Sequence, residues 1–218
     1  MTKHVHFILL SFGLFIPAPA LAMTAVSNLD EPLDFHATTY RYTDLPPHGS
    51  SLPFPGWQDA AVSFVPGSST MITDVTLPLA ASAPGDGFKV ALHSDNGNKP
   101  GTMLVQFIGE SNPSIHSLYP YAAPFPIPVE AGTKYWVVVS ESGTFARHEW
   151  DQVVGGFTGL PGWSIGNLAY RSNWVPEWGN SIWSTKISIG IVPEPCSAFL
   201  AVMAMSFFGI LHRGRRIM

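Results

Sequence analysis

Tyr135-Trp136-Val137-Val138-Val139 is the stretch from which the fold is read. Aromatic and β-branched side chains fit a pleated strand better than a helix. A run that is apolar at every position suits a central strand packed on both faces. Ala131-Gly132 offers a turn just before it. Further upstream the pattern changes to a period of two, as in half-buried strands. Thr73, Val75 and Leu77 face one way and Asp74 and Thr76 the other, while Phe88, Val90 and Leu92 point opposite to Lys89 and Ala91. In Ser94-Asp95-Asn96-Gly97-Asn98, Gly97 suits positive φ and Asp95 can cap its own backbone, which predicts a turn.

Helix signals are nearly absent between the two ends of the chain, where Gly and Pro recur every few residues. The apolar stretches predict strands at 36–42, 58–64, 71–79, 87–93, 103–108, 125–129, 133–140, 144–149 and 184–191. Nine strands without intervening helices imply an all-β domain over residues 23–191: two antiparallel sheets in a β-sandwich, jelly-roll-like. No internal repeat is visible. This span carries seven Lys/Arg against fourteen Asp/Glu, a net charge of about −7, which argues against nucleic acid as a partner. The single cysteine, Cys196, lies outside it, so the domain relies on its core and not on a disulfide.

The ends differ from the middle. Lys3, His4 and His6 precede an apolar run from Phe7 to Ile16, and Ala20-Leu21-Ala22 has the small-x-small form of a cleavage site. Residues 1–22 therefore read as a signal peptide handled by export machinery and signal peptidase, with an uncleaved anchor as the alternative. Residues 192–218 form a second unit: Val192-Pro193-Glu194-Pro195, sixteen mostly apolar residues at 196–211, then Arg213, Arg215 and Arg216. At 1.5 Å per residue the apolar run would reach ~24 Å against ~30 Å of hydrocarbon. It lacks a polar face, and its flanking arginines fit the positive-inside rule. A single transmembrane sorting helix is expected there, with a buried C-terminal helix as the alternative.

The Pro193-Glu194-Pro195 triplet, the short apolar run and the arginine cluster, in that order, resemble the PEP-CTERM sorting signal of Gram-negative bacteria, a tail also labelled an ice-binding protein C-terminal domain. The resemblance implies recognition by an exosortase-like membrane protease, an inner-membrane intermediate, and delivery to the envelope, cell surface or extracellular matrix. A second resemblance runs from Thr73 to Ser142 through Phe88–Asp95, Lys99-Pro100-Gly101 and Tyr135-Trp136-Val137-Val138. It is similar to the choice-anchor β-domains, particularly type R, which implies a sandwich and no defined activity.

Catalytic signatures are missing: the chain has no G-x-S-x-G elbow, and His148-Glu149-Trp150 lacks the second histidine of a zinc helix. His36, His48, His93, His116 and His148 are scattered, with His93 beside Asp95 the least bland. Asp95-Asn96-Gly97-Asn98 supplies oxygens in a tight loop but no closing Glu for calcium. Glu141, Glu149 and Asp151 cluster as acids without a defined spacing. No catalytic residue, metal ligand or cofactor is therefore assigned.

Carbohydrate binding has more behind it, because five of the seven tryptophans fall between 150 and 183. Exposed rings stack on sugar faces, and Trp163, Trp174 and Trp178 are the candidate platform. An ice-binding surface would want a regular row of threonines, which the chain lacks. The expectation is a non-catalytic exported surface protein contacting extracellular polysaccharide. The alternatives are a surface carbohydrate-active enzyme with an unrecognised site and a structural spacer.

Overall fold

The computed structural model describes residues 22–30, 58–83, 87–141, 147–153, 156–172, 176–180 and 184–192. Every regular element among them is a β-strand. They run β1 (Met23–Ser27), β2 (Gln58–Val65), β3 (Thr70–Ala83), β4 (Phe88–Asp95), β5 (Pro100–Gln106), β6 (Ser117–Val129), β7 (Tyr135–Glu141), β8 (Arg147–Trp150), β9 (Gln152–Val153), β10 (Thr158–Gly159), β11 (Ser164–Ser172), β12 (Gly179–Asn180), β13 (Ser184–Thr185) and β14 (Ser188–Val192). One sheet has the order β10-β1-β14-β3-β6, with β8 also on β3, and the other the order β12-β11-β2-β7-β4-β5. β9 and β13 form a small third ladder. All pairings are antiparallel, and four of them nest: β4 pairs with β5, β3 with β6, β2 with β7, and β1 with β14.

The two sheets close on one core. β2 contributes Ala60, Val62 and Phe64, β4 contributes Phe88, Val90 and Leu92, and β7 contributes Tyr135, Val137 and Val139. They meet Ile72, Val75 and Leu77 of β3, Tyr121 and Ile127 of β6, and Ile189 and Ile191 of β14. The period of two thus runs as read, with one change on β3. A bulge between Ile72 and Asp74 shifts the register, so that Ile72 and Val75 are both buried and Thr73 leaves the inner face. β7 lies between β2 and β4 and is buried on both sides, because Trp136 and Val138 join Ala61 and Ala169 in a second apolar cluster on the far face of their sheet.

Two features orient the molecule. Met23 is the register partner of Ile191, so the chain enters and leaves the sandwich at the same pole. Thr70 Oγ1 donates to the Val192 carbonyl there at 3.0 Å. The other feature is the edge strand β6, which carries Pro120, Pro124, Pro126 and Pro128. Proline removes backbone donors and blunts an edge against strand addition.

The transmembrane expectation requires correction. The described residues are entirely β, and no helix among them is long and apolar enough to cross a membrane. The 196–211 segment on which the expectation rested lies outside the described residues, as do the signal segment 1–21, Pro193, Glu194, Pro195, Arg213, Arg215, Arg216 and the strand expected at 36–42.

Candidate functional site

A cavity of about 230 Å³ opens at the pole opposite Met23 and Val192, lined by Leu29, Pro78, His116, Ser117, Leu118, Asp151 and Lys186. Leu29 follows β1 and Lys186 immediately precedes β14, whereas Met23 and Val192 lie at the far ends of those strands. Along β3, seven residues separate Met71, the partner of Val192, from Pro78. At ~3.3 Å per residue that separation is about 23 Å.

Backbone and side-chain bonds hold the cavity wall. Trp150 is fully buried, and its Nε1 donates to the Lys186 carbonyl at 2.7 Å. The Lys186 amide donates to the Asp151 carbonyl at 2.8 Å, and the Asp151 amide to the Pro78 carbonyl at 3.3 Å. Lys186 Nζ donates to the Leu29 carbonyl at 3.0 Å. Buried Asn28 ties the same turn down: its Nδ2 donates to the Thr185 carbonyl at 3.0 Å, and its Oδ1 accepts from the Ile187 amide at 2.6 Å. Buried charges persist only where such partners exist. Asp151 and Lys186 are both buried, whereas His116 is about half exposed. His116 Nε2 stands 3.0 Å from Asp151 Oδ2, and since a carboxylate only accepts, that nitrogen carries the proton. The cavity therefore brings together an acceptor, a cation, an imidazole and the Ser117 hydroxyl against the aliphatic faces of Leu29, Pro78 and Leu118.

The tryptophans are placed differently from the expected platform. Trp163 is buried, 3% exposed, with its ring parallel to Phe64 at 6.3 Å between centroids, so it belongs to the core. Trp178 is half-buried: it packs on the second apolar cluster, and the Arg171 guanidinium sits 4.8 Å from its ring centroid. Arg171 is itself paired to Asp59 at 2.6 Å. Trp174 lies outside the described residues. Trp163 and Trp178 thus do not share one open face.

The other candidates have local roles. Asp95 Oδ1 accepts from Trp136 Nε1 at 2.7 Å and Oδ2 from the Asn98 amide at 3.2 Å, while Asn98 Oδ1 accepts from Lys134 Nζ at 2.5 Å. Gly97 and Asn98 both take positive φ. The Asp95 and Asn98 side-chain oxygens are thus bonded to the turn backbone and to Trp136 and Lys134 beside it. His93 Nδ1 lies 2.9 Å from the Gly101 carbonyl, and burial holds its imidazole below the usual histidine value. His148 is buried against Phe88, whereas His36 and His48 lie outside the described residues. Among the described residues no group of three His, Cys, Asp or Glu could hold a metal ion. Of the acids Glu149 and Asp151, only Asp151 lines the cavity, and the Glu141 side chain lies outside what the structure describes. From sequence His116 is set aside among scattered histidines and Lys186 is not singled out, yet a lysine inside the apolar run 184–191 is a readable sign of a buried polar partner.

No family model, no curated protein and no solved structure matches this chain.

Proposed function

We propose that the chain is a non-catalytic, exported protein of the cell envelope or extracellular matrix, which associates with polysaccharide through the polar cavity. Residues 1–22 act as its export signal, read by signal peptidase. The Val192-Pro193-Glu194-Pro195 motif marks the point of processing by an exosortase-like protease. The fold between them is a jelly roll of the choice-anchor kind. The nested pairing of β1 with β14, β2 with β7, β3 with β6 and β4 with β5 supports that topology.

The observation that carries the reading is polar. The first strand starts at Met23, next to the expected cleavage site, the last ends at Val192, and both ends leave at one pole while the cavity opens at the other. A domain held or released at its chain ends presents that cavity to its surroundings. The competing reading, a carbohydrate-active enzyme, would need two carboxylates flanking a bond, and among the described residues Asp151 is the sole carboxylate lining the cavity.

Intact-mass analysis of the protein from its native envelope tests the processing, with cleavage after Ala22 and near Pro195 expected. Co-sedimentation with the producer's own polymer tests the association. A protein that retains both ends and stays in the supernatant would overturn the reading.

A further inference from the structure

We infer that the cavity takes one neutral saccharide residue, the terminal unit of a glycan, and not an acidic sugar or a polymer lying across the surface. This deepens the polysaccharide reading and rests on it. The first argument is size: at about 230 Å³ the cavity is smaller than the roughly 300–1,000 Å³ sites of drug-sized ligands, which leaves room for one ring.

The second argument is the distribution of groups. Asp151, His116, Lys186 and Ser117 supply polar atoms, and Leu29, Pro78 and Leu118 supply an aliphatic surface. A pyranose is divided in the same way, with hydroxyls around its rim and C–H groups on its faces. Each hydroxyl both donates and accepts, so a pair of neighbouring hydroxyls matches a wall holding an acceptor-only carboxylate and a donor-only ammonium. Asp151 and Lys186 are buried, with the Asp151 carboxylate held at His116 Nε2 and the Lys186 ammonium at the Leu29 carbonyl. Little side-chain freedom is therefore lost when a ligand arrives.

Charge decides between neutral and acidic sugars. With fourteen acidic side chains against seven basic ones over residues 23–191, the domain's field repels a polyanion on approach, and one lysine at the cavity does not reverse it.

The test uses the full chain, titrated by NMR or calorimetry with neutral hexose and N-acetylhexosamine disaccharides and with the same disaccharides ending in glucuronate. A neutral disaccharide should bind in the roughly millimolar range expected of a single-ring contact. Leu118→Arg places a long side chain across the mouth from an exposed position and should weaken binding at least tenfold with an unchanged melting temperature. Asp151→Asn should weaken it by a similar factor. Failure of every neutral sugar to bind, tighter binding of the glucuronate forms, or undiminished binding by Leu118→Arg would each overturn the assignment. If co-sedimentation with native polymer persists in any of those cases, this inference falls and the polysaccharide reading stands. If co-sedimentation is absent too, both fall.

Discussion

Trp150→Phe should destabilise the protein by about 2–4 kcal/mol, and the size of that loss follows from the wall of the cavity. The indole is fully buried, and its N–H donates at 2.7 Å to the carbonyl of Lys186. Phenylalanine cannot make this bond, and a buried carbonyl deprived of its partner costs about 1–3 kcal/mol. Contraction of the ring empties ~40 Å³, which at ~24 cal/mol per Å³ adds about 1 kcal/mol. Domains of this size are stable by about 5–15 kcal/mol, so the variant should still fold. Its melting temperature should drop by roughly 5–15 °C, at ~2–4 °C per kcal/mol. Chemical and thermal denaturation measure the loss, with Trp136→Phe as the comparison. Trp136 Nε1 bonds Asp95 at a part-buried turn where water can replace it, so the lost bond should cost at most about 1 kcal/mol, and because this ring is also buried the same cavity term of about 1 kcal/mol applies. Equal losses for the two variants, or a loss under ~1 kcal/mol for Trp150→Phe, would refute the view that the Trp150–Lys186 bond holds the cavity together.

His93 should make stability depend on pH. Burial lowers its pKa from 6.5, the Arg171 charge adds to this, and the Gly101 carbonyl and Asp59 oppose it. The unfolded chain then takes up a proton as pH falls through 6.5 while the folded state does not, so this contribution is complete above 6.5 and is lost below it. Urea midpoints between pH 7.5 and 5 should show the decline, and His93→Gln should flatten it; an unchanged slope would contradict the assignment. Gly67→Ala should cost about 1–3 kcal/mol, because a Cβ there would overlap the Pro161 carbonyl oxygen and the Gly162 backbone; a neutral melting curve would argue against that close approach. Tyr121→Phe removes a hydroxyl that donates to the Glu110 carbonyl at 3.0 Å and should cost about 1 kcal/mol by denaturant titration. Ending the chain after Val192 should leave stability nearly unchanged, whereas ending it after Thr185 removes β14 from between β1 and β3 and should abolish the cooperative transition.

Much of the sandwich was legible because alternation is a local signal. Phe88, Val90 and Leu92, and Val62 and Phe64, point inward as a period of two requires. Where strands were misread, the causes are specific. β6 was foreseen only at 125–129, yet it runs Ser117–Val129; its prolines look like breakers, but an edge strand tolerates them. β11 went unread because Gly166 and Asn167 interrupt the pattern at a shift in register between Ile165 and Leu168. β5 starts earlier than its apolar residues suggest, since Pro100 pairs with Asp95 across the turn. The cavity was not legible at all. His116, Asp151 and Lys186 are 35 residues apart at the closest, and only the return of β14 alongside β1 and β3 brings their segments together. Trp163 shows the opposite error, since a Gly-rich neighbourhood suggested exposure while the ring fills the core.

The path of β14 also has a mechanical consequence. Val192 and Lys186 lie at or just beyond its two ends, with β1 on one side and β3 on the other. A pull on residue 192 resisted at the cavity would run along this strand, loading both flanking ladders in shear, with their bonds sharing the force at once. Peeling, in which bonds fail one after another, would demand a pull across the strand.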